Sequence, residues 1–501
     1  MTTDDSKPST SGAASGAVFT EGSVLRHISV MTATATTGLI ALFVVDLIDL
    51  YFLSLLGQAE LAAAVGYAGS ILFFTTSICI GLAIAMAALV ARAIGAGEKA
   101  RAKRYVVHVS VASLLVTVPF AALVWFSIPD LLGLLGAEGR TLELAVDYLR
   151  IIVPSMPVLA LAMGSGGALR AVGAARLSMA STLAGGLVNA VLDPILIFGL
   201  ALGIEGAAFA SVAARFAVLA VGAYGIVVQQ QLLGRFKAAA FARDVRRIAE
   251  VAGPAMLTNV ATPFGNAYVV TAMARFGDEA VAGYSIIGRI IPVAFGVVFA
   301  LSGAVGPVVG QNFGAGKFDR IRQALIDALM LSTAVIVLAS LMLYVFQDQI
   351  ASVFNASSGA AGLFGFFSTW IAILFVFSGA QFIANAAFNN LGFPLWSSVT
   401  NWGRVTVGTI PLVWIGAAWL GPNGVLLGQA IGGVLFGAGA YYAAWNLCSA
   451  ERAAERKPKT DTRMFRVPLS AQTVYRGWIG LFGQEGQGQG GSKTHADPTG
   501  H

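Results

Sequence analysis

Charge is scarce in this chain. Only 11% of its 501 residues are Asp, Glu, Lys or Arg, where a soluble domain carries about 25%. Apolar residues make up 57%, and the mean hydropathy is +0.77. A globule of this length cannot hide so much apolar surface, so most of it must face lipid, which excludes a soluble enzyme and an intrinsically disordered chain. Cysteine is nearly absent. Cys79 and Cys448 lie in apolar stretches with no partner spacing, which excludes a disulfide framework and a thiolate metal site. Of four histidines, His495 and His501 sit in a polar tail. His27 and His108 alone are too few for a His-based metal centre, and no cofactor is expected. The net charge is only +6, and the basic residues fall in short runs between apolar stretches. Such runs read as membrane orientation signals rather than a phosphate-binding face, so no nucleic-acid partner is expected.

What is present is a series of long apolar stretches. A bilayer core of about 30 Å takes about 20 apolar residues per helix. Twelve segments qualify: 28–56, 61–91, 105–128, 142–165, 178–202, 206–231, 248–274, 280–310, 325–346, 364–389, 396–419 and 424–447. Several exceed 25 residues, which implies tilt or protrusion past the lipid. Residues 1–24 are polar and rich in Ser, Thr, Ala and Gly. They are expected to be a disordered segment rather than a signal peptide, since the apolar stretch that follows is a full span. The tail 451–501 is charged, then rich in Gly and Gln, and is expected to be mostly disordered.

Loop charge orients the chain. With the N-terminus on the cytoplasmic side, 25 of the 31 Lys and Arg residues fall in inside segments, and only Arg140 and Arg275 fall in outside loops. Both termini are therefore expected in the cytoplasm of an inner- or plasma-membrane protein.

An internal repeat runs at an offset of 219 residues. Leu61-Ala62-Ala63, after Glu60, aligns with Ala280-Val281-Ala282, after Glu279. Gly95-Ala96-Gly97 aligns with Gly314-Ala315-Gly316, and Gly173 with Gly392. After one deletion, Gly203-Ile204-Glu205-Gly206 matches Gly421-Pro422-Asn423-Gly424. A unit of six helices is even, so both halves enter the membrane from the same side, as parallel repeats about the membrane normal. The expected fold is an all-α membrane protein of two pseudo-symmetric six-helix lobes, 25–234 and 235–450, around a central cavity. A channel on a duplicated scaffold shares that expectation.

A carboxylate in hydrocarbon costs roughly 2.5–3.5 kcal/mol on insertion scales, so acids inside spans are the candidates for function. The first half has three deep ones. Asp46 and Asp49 lie in the first span. Asp193 lies in the fifth, with Asn189 four residues earlier on the same face. At the repeat offset these positions become Gly265, Tyr268, Leu412 and Gly408. The second half keeps the scaffold and lacks every acid, which confines cation coupling to the first half. A carboxylate held away from water takes up protons more readily, and oxygen ligands also suit a hard cation, so H⁺ and Na⁺ both fit, with Na⁺ held by Asp49, Asn189 and Asp193. Asp46 has a supporting role beside Asp49 as its alternative. Ser211 in the sixth span offers a hydroxyl and Tyr148 in the fourth a phenol, though each also reads as a packed polar residue. Pro194 can bend the fifth span beside Asp193.

Four arginines lie within spans: Arg150, Arg215, Arg289 and Arg404. Spread over four helices, they read as snorkelling or paired side chains, with an anion-binding cavity as the alternative. Phe264, Met273, Phe295, Phe299 and Phe382 are candidates for an apolar substrate wall, although such spacing also suits lipid-facing or core positions.

These features resemble the multidrug and toxic compound extrusion (MATE) transporters over residues 25–447. The resemblance rests on Asp49, Gly57 and Glu60-Leu61-Ala62-Ala63; on Arg170, Gly173, Asn189 to Asp193 and Gly206-Ala207-Ala208; and on Gly310-Gln311-Asn312-Phe313-Gly314-Ala315-Gly316 with Asn390-Leu391-Gly392. It is greatest to the DinF-like branch. That resemblance implies a cation site at Asp49, Asn189 and Asp193, with Ser211 and Tyr148 as further members. Other branches carry an acid in the seventh span; here that span has only Glu250, at its cytoplasmic end, and Asp46 departs from the branch pattern. The implied function is a monomeric secondary antiporter that exports amphipathic, often cationic, organic compounds through the lipid bilayer in exchange for H⁺ or Na⁺. The alternative is a flippase for lipids or lipid-linked oligosaccharides from the wider superfamily.

Overall fold

A computed structural model describes residues 17–55 and 59–455. Among these residues it is all helix and loop. The spans are α1 Val24–Leu55, α2 Ala59–Gly95, α3 Lys99–Leu134, α4 Gly139–Ala171, α5 Ala175–Gly199, α6 Gly203–Gln229, α7 Ala238–Ala274, α8 Asp278–Gly314, α9 Phe318–Val345, α10 Ser358–Leu391, α11 395–420 and α12 422–445. Ten helical stretches are long and apolar enough to cross a membrane. One of them, Leu395–Ser449, is two spans joined at Gly421. Its φ of 59° and ψ of −137° lie where only glycine rests without strain. The twelfth span, α7, falls short of that threshold because polar residues run along its length. The chain divides into two units at Trp445, and the described residues up to it form one compact unit. Of the second, 446–455 is helical, and 456–501 lies outside the described residues.

The first helix of each lobe packs against the other lobe as well as its own. The start of α7 buries Ile248, Val251 and Ala252 in a core with Ala102, Tyr105 and Val109 of α3 and Leu89 and Val90 of α2. α1 likewise packs against α8 and α9 of the second lobe, besides α5 of its own. This explains why α7 begins ten residues before the apolar segment 248–274: Asp244 continues the buried stripe of Ile248 and Val251 one turn earlier, while Arg243 and Arg246 stay in water. The N-terminal expectation needs a correction. Residues 1–16 lie outside the described residues, but 17–24 are not disordered: Val18–Thr20 form a 3₁₀ turn with Phe19 only 2% exposed.

The lobes close tightly at the end that carries the basic loops. A Cβ on Gly95 would collide with the Gln311 backbone, and one on Gly314 with the Arg92 carbonyl. Only glycine at both repeat positions allows α2 and α8 to cross so closely. Arg92 donates to the Asn389 carbonyl. Phe19 seals the junction: its N–H donates to Gln311 Oε1 (2.9 Å), whose Nε2 donates to the Ala171 carbonyl (2.8 Å). Asn312 and Arg320 donate to the Phe19 carbonyl, at 3.1 and 3.0 Å.

Candidate functional site

The fifth helix positions the acid the sequence singled out. Four residues apart on α5, Asn189 and Asp193 share a face, and Asn189 Nδ2 donates to Asp193 Oδ2 at 2.6 Å. Asp193 is fully buried and Asn189 is 5% exposed. The charge-accepting oxygen is thus held by an amide in a region without bulk water, where such a bond is stronger than at a surface. Pro194 ends the regular helix, and Ile195–Gly199 follow as a π-helical turn.

Around this pair the other first-lobe candidates assemble in part. Ile197, one turn beyond Asp193, packs with Ala207 of α6, Phe52 of α1 and Tyr148 of α4. Gly206 lies against the backbone of Leu196 and Ile197, where α6 packs on α5. Tyr148 thus reaches the helix turn that follows the pair, and Ser211 lies half-buried on α6. Asp46 and Asp49 belong to α1, and their side chains lie outside the described residues.

The second lobe has no such pair on α11, where the counterpart positions hold Gly408, beneath Phe436, and Leu412. An amide network takes its place one layer nearer the basic end. Asn401 Nδ2 donates to Asn385 Oδ1 (3.1 Å), and Ser397 Oγ donates to Asn389 Oδ1 (3.3 Å).

The aromatic candidates divide. Phe264 is 51% exposed and tilts against Trp402. Phe299 meets Phe382 edge to face, with centroids 5.2 Å apart. Met273 and Phe295 are corrected: both are fully buried in the second-lobe core, Phe295 stacked on Phe375 at 4.4 Å. Their helical phase points them into the lobe, away from any cavity wall. Of the span arginines, Arg215 donates to Ser155 Oγ (2.7 Å) and to the Ile152 carbonyl (3.2 Å), where the Val153–Ser155 turn interrupts α4. Arg150 lies over the Trp125 ring. Arg404 is half-buried and Arg289 exposed.

Sequence reasoning missed a polar clamp between the lobes. His108 Nε2 accepts the Lys237 backbone N–H at 3.2 Å, so its proton sits on Nδ1, which donates to Asp244 Oδ2 at 2.7 Å. Arg104 Nε donates to the same oxygen at 2.9 Å, and Phe236 and Phe241 flank the ring. The available signal was Asp244 falling in phase with the buried stripe of α7.

Known proteins match along most of the chain. Residues 35–195 and 254–415 match the MatE family. A FAD transporter of Shewanella oneidensis is 30% identical over 430 residues, covering 83% of this chain and 93% of that protein. The multidrug export protein MepA of Staphylococcus aureus is 25% identical over 331 residues, covering 64% and 70%. The solved structure of a Vibrio cholerae MATE transporter, VcmN, superposes with a TM-score of 0.80 at 25% identity, covering 87% of this chain and 98% of that one.

Proposed function

The chain belongs to the MatE family, and on that footing we propose that it exports amphipathic organic compounds in exchange for H⁺ or Na⁺. The observation that carries the reading is the buried Asn189–Asp193 pair in one lobe, with Gly408 and Leu412 at the same places in the other. Asp193, Asn189 and Asp49 hold the coupling cation, with Asp46, Ser211 and Tyr148 around them. The basic end is cytoplasmic, and the packed state is the one closed to the cytoplasm. Uptake of the cation neutralises Asp193 and relaxes the α5 turn after Pro194, which narrows the first-lobe side of the cleft and releases substrate. The lobes then rock to open the basic end.

Multidrug relatives such as MepA support drugs and toxins as cargo. A second reading, export of a flavin dinucleotide, is favoured by the greater identity and coverage of the Shewanella FAD transporter. Transport into proteoliposomes with a pH gradient and an Na⁺ gradient imposed separately tests the coupling. Flux that ignores both gradients would sink it.

A further inference from the structure

The face of α8 that meets the first lobe can be followed along its length. At the basic end Gly310 approaches Ala91 of α2, and Gly314 approaches Arg92. Midway, on the same face, Gly296 approaches Phe43 of α1. One and two turns farther on the face is bare: Val293 is 69% exposed and Arg289 is exposed. Spacings of three, four and seven residues keep these positions on one stripe. A stripe that meets the first lobe at Gly296, Gly310 and Gly314 and is open at Gly303, Val293 and Arg289 borders the cleft between the lobes. Lipid does not explain the exposure. Arg289 lies eleven residues into α8, about 17 Å from its start, and a guanidinium facing hydrocarbon there would cost roughly 2.5–3.5 kcal/mol. None of the hydrogen bonds or ion pairs among the described residues uses it.

The repeat supplies the facing wall. At the 219-residue offset Arg289 becomes Ser70, and Pro292 and Val293 become Phe73 and Phe74 of α2. Both phenylalanines are bare, at 44% and 50% exposed, and Gly66 and Gly69 face open space. Farther along this stripe Gly81 meets Met256 of α7, so the α2 stripe likewise passes from lobe contact to open cleft. The cleft therefore has an aromatic wall on α2 and a cationic one on α8.

We propose that Arg289 is a substrate-specificity residue that receives the anionic group of an amphipathic organic anion, a phosphate or carboxylate, while the apolar body of the substrate rests on Phe73 and Phe74. This deepens the transporter reading by naming the charge of its cargo. It rests on the cleft between lobes and not on cation coupling. Arginine suits the task because its planar fork binds such groups with two hydrogen bonds.

Flavin mononucleotide and riboflavin share one aromatic body and differ by a phosphate, so their binding to the purified full chain isolates the charge. Expected is a preference for flavin mononucleotide of about tenfold or more at low salt. Arg289→Ala should erase that preference while leaving riboflavin binding unchanged, and Arg289→Lys should keep part of it. The proposal is overturned if the wild-type chain binds neither flavin, binds both equally, or prefers the cation rhodamine 6G. It is also overturned if Arg289→Ala, or Arg289→Gln where the alanine variant does not fold, leaves the ratio unmoved. Loss of gradient-driven flux in wild type with the binding ratio preserved would instead break the coupling reading alone.

Discussion

The two lobes repeat one scaffold and have diverged at three depths. Beside α5 the first lobe buries Asn189 and Asp193, where the second has Gly408 and Leu412. On the cleft wall the first lobe shows Ser70 and the second Arg289. A third divergence lies at the basic end. Arg104 and His108 of α3 hold Asp244 of α7. Their counterparts on α9 are Gln323 and Asp327, which bond to each other at 2.6 Å, beside Val24 and Leu25 at the start of α1. Packing is therefore what the duplication preserves, and ionisable groups are what each copy changed. In a medium where an unpartnered charge is costly, each such change is expected to have a use.

The sharpest way to break the comparison is to erase its deepest difference. Asp193→Asn keeps the volume and a polar partner for Asn189, yet should abolish drug resistance in cells while membrane expression is unchanged. Full resistance in that variant would remove the basis of the first-lobe site. The reciprocal change, Leu412→Asp, should destabilise by about 2.5–3.5 kcal/mol and fail to rescue Asp193→Asn. Thermal unfolding and dye efflux of the double variant report the two effects.

Next in size is closure of the basic end. Gly95→Val forces a side chain into the Gln311 backbone, whereas Gly303 has open space around it on the same helix partner. The first should lower transport severalfold and lower the melting temperature, and Gly303→Ala should change both little. Equal effects would deny that the α2–α8 crossing matters. A smaller shift is expected from Gln311→Ala, which removes the acceptor for the Phe19 N–H and the donor to Ala171. With about 1 kcal/mol for each of the two bonds, the closed-to-open ratio should fall by up to about thirtyfold, read as a longer distance between spin labels placed at Arg176 and Lys317. The smallest effect belongs to Asp244→Asn. It keeps a hydrogen bond to His108 but loses the charge beside half-exposed Arg104, and should cost about 1–2 kcal/mol in unfolding.

Much of this was legible in the sequence, for identifiable reasons. Spans announce themselves because lipid demands length and apolarity together, and all twelve are present. Asn189 and Asp193 were readable as a pair because i, i+4 spacing fixes a shared face. Met273 and Phe295 were not readable as core, since an all-round apolar helix gives no clue to which side faces a cleft. Phe19 was hidden for a different reason: its burial comes from Gln311 and Arg320, about 300 residues away, and a polar, small-residue segment carries no periodic mark of that contact. Asp244 was visible only in phase, as the single acid on a stripe otherwise apolar.

The clamp of His108, Asp244 and Lys237 ties α3 of one lobe to the first turns of α7 in the other, at the chain segment that joins them. If the lobes turn about that tether, it acts as a fulcrum placed at one extremity of the molecule. A 37-residue helix is about 55 Å long, so a swing of roughly ten degrees there carries the far rim through about 10 Å. Small angular changes near the tether would thus be magnified into a passage wide enough for an organic molecule.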